Sequence, residues 1–265
     1  MNIGKTLRLR KIFQSDERAV IVAMDHGAFF GLQAGLENPG PIIEQVVAGG
    51  ADAVMTTLGI AQNYSSALAP TSLILRVDGG ASKLGTKAWR GGLIYDAETA
   101  LKVGADGVVV MGFPGSENED KNLQYLAALS KQCINWGLPL MAEMLPRGFE
   151  GGDDARAPET LALAMRIGAE LGVDMVKTQY TGSVESFRKA VSSCFVPVVV
   201  LGGPKMQDDA AVLCTVREAM DAGARGVAMG RNLWGHRNPR KMTQAIVALV
   251  HDNASVEQAS QLLND

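Results

Sequence analysis

Eight short β-rich runs recur along the chain, each followed by loop residues and then a helical pattern, and this alternation limits the fold more than any other feature. The runs occupy residues 19–24 (AVIVAM), 53–56 (AVMT), 73–77 (LILRV), 107–111 (GVVVM), 138–142 (LPLMA), 174–177 (DMVK), 197–201 (PVVVL) and 226–229 (GVAM). Intervening segments such as 158–171 and 209–222 carry apolar residues at i, i+3 and i+4 with charges between them, the pattern of an amphipathic helix. Several runs are apolar on both faces, as parallel strands are when helices cover them. Gly50-Ala-Asp52, Gly104-Ala-Asp106, Gly172-Val-Asp174 and Gly223-Ala-Arg225 each close a helical stretch and lead into a run. Glycine there supplies the left-handed position that ends a helix. Strand and helix alternating eight times without a linker predict a closed (β/α)8 barrel, residues 1–265 forming one domain. A doubly wound sheet would place a GxGxxG turn after the first strand; the chain has Met24-Asp-His-Gly-Ala-Phe-Phe-Gly31 instead.

Bulk properties exclude several partners. Apolar residues make up 47% of the chain, enough for a large core, and the net charge of −3 argues against nucleic acid or an anionic membrane. No apolar run approaches the length of a membrane span, and residues 1–10 lack the continuous apolar stretch of a secretory signal, so a cytoplasmic protein is expected. Cys133, Cys194 and Cys214 are odd in number and widely spaced, and are expected to be reduced, mostly buried thiols. His26, His236 and His251 are too scattered for a local zinc motif, and no metal is expected. The methionines at strand ends (Met24, Met55, Met111, Met141, Met144, Met175 and Met229) read as core filling.

In such a barrel the carboxyl ends of the strands, with the loops after them, form the active face. Those positions hold Asp25-His26-Gly27, Asp78-Gly79-Gly80, Glu143 with Arg147 beyond it, Lys177, Gly202-Gly203-Pro204-Lys205 and Gly230-Arg231-Asn232. Lys177 is the most informative. A lysine closing an apolar run either snorkels to solvent or sits buried, where a neutral amine forms Schiff bases with carbonyls. Its convergence with several carboxylates on one rim favours the second. Asp25 and Glu143 are candidate acid/base groups, Asp25 alternatively pairing with Lys177 or capping the next element. His26 contacts substrate or a loop carbonyl, Arg147 binds a substrate anion or pairs with Glu143 or Glu150, and Asp78 organises its glycine turn. Gly202, Gly203 and Gly230 lie in the loops where such barrels bind phosphate through backbone N–H groups, with Arg231 able to add a bidentate contact. Taken singly, these glycines would serve tight turns alone.

Met24-Asp-His-Gly27, Val176-Lys-Thr-Gln-Tyr-Thr-Gly182, Gly202-Gly-Pro-Lys205 and Met229-Gly-Arg-Asn232 together resemble the class I aldolase family typified by archaeal fructose-bisphosphate aldolase. That family also includes an aldol-type heptulosonate synthase and the thiolase of autoinducer-2 phosphate breakdown. The resemblance covers nearly the whole chain. It implies a TIM barrel, a Schiff-base lysine at Lys177, Asp25 as acid/base, and phosphate held at Gly202, Gly203, Gly230 and Arg231. It also implies a homo-oligomer, a pentamer or decamer. One departure stands out: where the aldolase and the heptulosonate synthase read Tyr-Pro-Arg-Gly, with the tyrosine transferring a proton, this chain reads Leu145-Pro-Arg-Gly148. The expectation is a Schiff-base lyase or aldol-type transferase on a phosphorylated keto-sugar, needing no cofactor. The alternatives are a thiolase using CoA as co-substrate on a phosphorylated diketone, and a non-catalytic sugar-phosphate-binding barrel.

Overall fold

In the computed structural model, which describes residues 2–85 and 92–264, the eight runs form a single parallel sheet closed on itself. Its strands are β1 (Ala19–Ala23), β2 (Ala53–Thr56), β3 (Ser72–Arg76), β4 (Gly107–Gly112), β5 (Leu140–Met144), β6 (Met175–Thr178), β7 (Val198–Leu201) and β8 (Gly226–Met229). Each pairs with the next in sequence, and β8 closes onto β1 with Ala19 opposite Gly226. Helices including Pro39–Ala48, Glu119–Trp136, Pro158–Glu170, Asp209–Asp221 and Pro239–Val250 cover the outside. The fold is the expected (β/α)8 TIM barrel, and Gly50, Gly104, Gly172 and Gly223 all carry positive φ, from 79° to 105°.

Several strand limits differ from the sequence reading for local reasons. The fifth strand starts two residues later than 138, because Pro139 has no N–H to give the ladder and only accepts, from Val108 at 2.9 Å. Asp174 lies just outside β6; its carboxylate accepts from Leu140 N at 2.9 Å and from Lys5, pinning the strand start rather than extending it. Asp78–Gly79 adds a short antiparallel ladder with Gly92–Leu93 that periodicity did not predict. The cysteines are free, but only Cys133 is buried; Cys194 is half-buried and Cys214 exposed on its helix. The seven strand-end methionines are all buried.

Period-two alternation splits the sheet residues cleanly. Val20, Val22, Val54, Leu73, Leu75, Val108, Val110, Leu140, Ala142, Val176, Val198 and Val200 pack outward against helices. Ile21, Ala23, Met55, Ile74, Val109, Met141, Met175, Val199 and Ala228 fill the barrel interior. The helix Ile3–Ile12 lies across the amino ends of the strands, its Ile12 and the following Phe13 plugging that interior while Lys5 and Lys11 bridge to Asp174 and Asp106. One end of the barrel is thereby closed with apolar side chains, which leaves the carboxyl end for chemistry.

A second lock holds the closed end. His251, after the last barrel helix, bridges Asp16 Oδ2 at 2.8 Å and Asp52 Oδ2 at 2.9 Å. The hydrogen bond to Asp52 raises the imidazole's affinity for its proton, Asp16 adds to the effect, and burial opposes it. A raised folded-state value means that this bridge stabilises fully below the unfolded value near ~6.5 and is lost as pH climbs through the higher folded value. His251→Ala should therefore cost about 1–2 kcal/mol at pH 6 and much less at pH 9, measured by urea unfolding at both pH values.

Candidate active site

Strand parity decides what faces the barrel axis at its open end. Two residues beyond Ile74, Met141, Met175 and Ala23 stand Arg76, Glu143, Lys177 and Asp25, so the same face that is apolar in the middle becomes charged one layer up. Asp25, Arg76, Asp78, Glu143 and Lys177 are each at most 8% exposed. Glu143 and Lys177 are register partners on adjacent parallel strands, which places their side chains side by side; Lys177 Nζ lies 2.8 Å from Glu143 Oε1. Lys177 is thus buried rather than snorkelling, and its partner is Glu143, not Asp25.

Arg76 lies one residue inside the run LILRV and so falls outside the strand-end positions. The parity of Ile74, Arg76 and Asp78 is the signal that would have found it. Its Nε donates to Asp25 Oδ2 at 2.7 Å, Nη1 to Asp78 Oδ1 at 3.1 Å and Nη2 to Glu143 Oε2 at 2.5 Å. Burial alone would raise the carboxyl of Asp25; Arg76 and then Lys177 overcome this and hold it down to about 2. Glu143 is lowered for the same reason, with Lys177 the leading favourable charge. Asp78 is raised by burial despite Arg76. Instead of organising its glycine turn alone, Asp78 also accepts from Met111 N at 3.0 Å and so ties β4 to Arg76.

Above this layer opens a cavity of about 410 Å³ lined by Glu143, Lys177, Gln179, Gly203, Gly230 and Arg231, among others. Asp25, Arg76 and Asp78 lie behind that lining. Three buried polar atoms lack a hydrogen-bond partner among the described residues, namely His26 Nδ1, Gln179 Oε1 and Arg231 Nε, and all three residues line this cavity. A larger cavity of 610 Å³ at the strands' amino ends, against Lys11, Asp52 and Asp106, has none of them. Buried polar groups are nearly always paired, so the three orphans point to a ligand in the smaller cavity.

The sequence candidates divide. His26 Nδ1 stands 3.6 Å from Asp25 Oδ1, with its ring edge-on to Trp234; burial lowers its affinity for a proton, against the pull of Asp25. Gly202, Gly203, Gly230 and Arg231 meet on one side, laced by Asn232, whose Nδ2 donates to Gly202 O at 2.8 Å. Burial also lowers the proton affinity of Arg231, whose guanidinium sits 6.0 Å from the Phe30 ring centroid. Arg147 does not join them: its φ of 59° turns the chain, and its guanidinium pairs with Asp154 outside the cavity. Leu145 is buried against Phe29, Met111 and Phe113, so the place of the expected tyrosine is an apolar wall. Tyr180 also lines the cavity, but its hydroxyl donates to Glu218 Oε2 at 2.9 Å, and burial followed by that carboxylate raises its pKa, making it a poor acid. Among the described residues no three His, Cys, Asp or Glu side chains gather as a metal site, and no helix is long and apolar enough to cross a membrane.

Comparison with known proteins gives the family. The DeoC/LacD family aldolase model matches residues 19–236, most of the barrel. The chain belongs to the DeoC/LacD aldolase family. It is 37% identical to the 2-amino-3,7-dideoxy-D-threo-hept-6-ulosonate synthase of Halobacterium salinarum, over 97% of this chain and 95% of that one. It is 35% identical to the 3-hydroxy-5-phosphonooxypentane-2,4-dione thiolase of Yersinia enterocolitica, over 98% and 86%. An archaeal fructose-1,6-bisphosphate aldolase with its catalytic lysine covalently bound to the carbinolamine intermediate superposes with a TM-score of 0.85 at 33% identity, covering 93% of this chain and 99% of that one. The protein is an enzyme of the aldolase and aldol-type transferase class.

Gly230 gives this aldolase a test of its open-end packing. A Cβ there would lie 2.5 Å from Ala23 O and 2.5 Å from His26 Cε1. Backbone cannot give way as a flexible side chain can, so Gly230→Ala should cost about 1–3 kcal/mol by urea unfolding.

Proposed function

We propose that this aldolase is a class I enzyme whose Lys177 forms a Schiff base with a phosphorylated ketose or related keto compound. The observation that carries the reading is the buried contact between Lys177 Nζ and Glu143 Oε1, set in a cavity that is also lined by an arginine whose Nε has no hydrogen-bond partner among the described residues. Glu143 takes the ammonium proton as Nζ attacks the carbonyl carbon, a second proton passes from Nζ to the carbonyl oxygen, and the carbinolamine forms. The same proton returns to the departing hydroxyl, which leaves as water, and the iminium is left paired with the Glu143 carboxylate. The iminium draws electrons from the bond between its α and β carbons as the β-hydroxyl gives its proton to Asp25, so that bond breaks to an enamine and a carbonyl product or, in reverse, forms. Asp25, whose Oδ2 is held by Arg76 while Oδ1 faces His26 in the lining, is the second carboxylate, serving the substrate hydroxyl across that imidazole. Arg231 with the backbone of Gly202, Gly203 and Gly230 takes the phosphate, and Gln179 Oε1 accepts from a substrate hydroxyl. No cofactor enters this scheme.

Borohydride reduction in the presence of a panel of ketose phosphates should add the substrate's mass to the peptide carrying Lys177, and Lys177→Met should abolish the label. A label elsewhere, or none across the panel, argues against the scheme. Glu143→Gln should slow the trapped step by about 10²–10⁴-fold. Arg231→Met should raise KM for phosphorylated substrate while leaving trapping of its dephosphorylated counterpart unchanged.

Leu145 favours a second reading, CoA-dependent cleavage of a phosphorylated diketone, since an apolar wall cannot transfer the proton that aldol cleavage asks of a tyrosine. Product release that requires CoA decides for it, and CoA-independent release of an aldehyde decides against it.

A further inference from the structure

Arg76 lies behind the cavity lining, so it does not act on substrate directly, yet three of the layer's four other charged groups hang on it. Its fork spans strands far apart in sequence: Asp25 after β1, Asp78 beyond its own strand, and Glu143 on β5. The guanidinium also stands 5.5 Å from the Phe29 ring centroid, which shuts one face from water. Glu143 is divided between two cations, Oε2 on Arg76 and Oε1 on Lys177.

We infer that Arg76 is the positioning residue for imine formation: by binding Asp25, Asp78 and Glu143 at once it fixes the Glu143 carboxylate on Lys177 and keeps it able to accept the lysine's proton. The inference rests on the Schiff-base reading proposed for Lys177. The physical reason is the charge balance of the layer. With Arg76, two cations face three carboxylates; without it, Lys177 alone faces all three. Buried carboxylates that close together, lacking a cation, do not all stay ionised, because repulsion and desolvation both favour protonation. A protonated Glu143 donates where it must accept, and Lys177 then keeps its proton. Glu143 has its other oxygen locked by a planar fork, which lysine could not reproduce bidentately across three partners. The groups that bear on this charge are Asp25, Asp78, Glu143 and Lys177, with His26 beyond Asp25 and the Tyr125 hydroxyl beside Asp78.

Two readouts test this, one of them independent of turnover. Carbon-13 NMR of the full chain, with the Glu143 carboxylate assigned through Glu143→Gln, follows its titration without any substrate. Borohydride trapping with dihydroxyacetone phosphate, run against pH, follows the acidic limb of imine formation. Arg76→Gln should move both midpoints up by about 1–3 pH units, with Arg76→Lys recovering part of the shift. Asp78→Asn removes a neighbouring negative charge and should move them the other way. If Arg76→Gln does not fold, Arg76→Lys and Asp78→Asn carry the test with their opposite signs. A merely structural Arg76 would lower trapping equally at every pH and leave the Glu143 titration where it is, and that result overturns the inference. Failure of wild-type trapping with a shifted Glu143 titration would instead sink the Schiff-base reading and leave the hold of Arg76 on Glu143 standing.

Discussion

Five charged side chains packed into the open end of the barrel have to be held there, and the fork of Arg76 is what holds them. Moving even one such ion out of water costs several kcal/mol, so the layer survives only because its members satisfy one another. Arg76 takes Asp25, Asp78 and Glu143, and Glu143 in turn takes Lys177. The contact between Glu143 and Lys177 follows from sheet register, since the two residues are directly opposed on neighbouring strands. An ammonium is thus placed where the iminium of a Schiff base would need the same counter-charge. The resting ammonium and the iminium carry the same charge at that position, so one counter-charge serves both with little rearrangement of the surroundings.

The apolar half of the barrel makes this layer affordable. Ile74, Met141, Met175 and their interior neighbours fill the middle, and Ile12 and Phe13 close the far end, so water approaches the charges from one side only. On that side the cavity pairs a charged floor with the Leu145 cluster on one wall and the loops of Gly203 and Gly230 on another. On the proposed chemistry, a ligand for Arg231, Gln179 and Lys177 carries an anion, a hydrogen-bond donor and a carbonyl.

Most of the fold was legible in the sequence because the barrel repeats one local pattern eight times. Apolar runs gave the strands, amphipathic spacing gave the helices, and glycines at 50, 104, 172 and 223 gave the turns between them. Strand limits slipped where a single residue overruled the pattern, as Pro139 and Asp174 do. The candidate site was legible where it lies at strand ends, and the structure brings Lys177, Glu143, His26, Gly202, Gly203, Gly230 and Arg231 around one opening with Asp25 behind them. Two things escaped. Arg147 follows Glu143 closely in sequence, but a left-handed turn sends it outward to Asp154. Arg76 sits inside a strand, where only the inward parity shared with Ile74 and Asp78 distinguishes a site residue from an anomaly. Pair identities were equally hidden, since which carboxylate meets Lys177 depends on a register between strands that no local pattern records.

The most direct measurement of the central claim is a crystal structure of the borohydride-reduced adduct with a ketose phosphate. The account requires continuous density from Lys177 Nζ to a substrate carbon, that nitrogen within hydrogen-bonding distance of Glu143, and the phosphate against Gly203, Gly230 and Arg231. Density for the ligand that stops short of Lys177, or a phosphate bound away from Arg231, would contradict it.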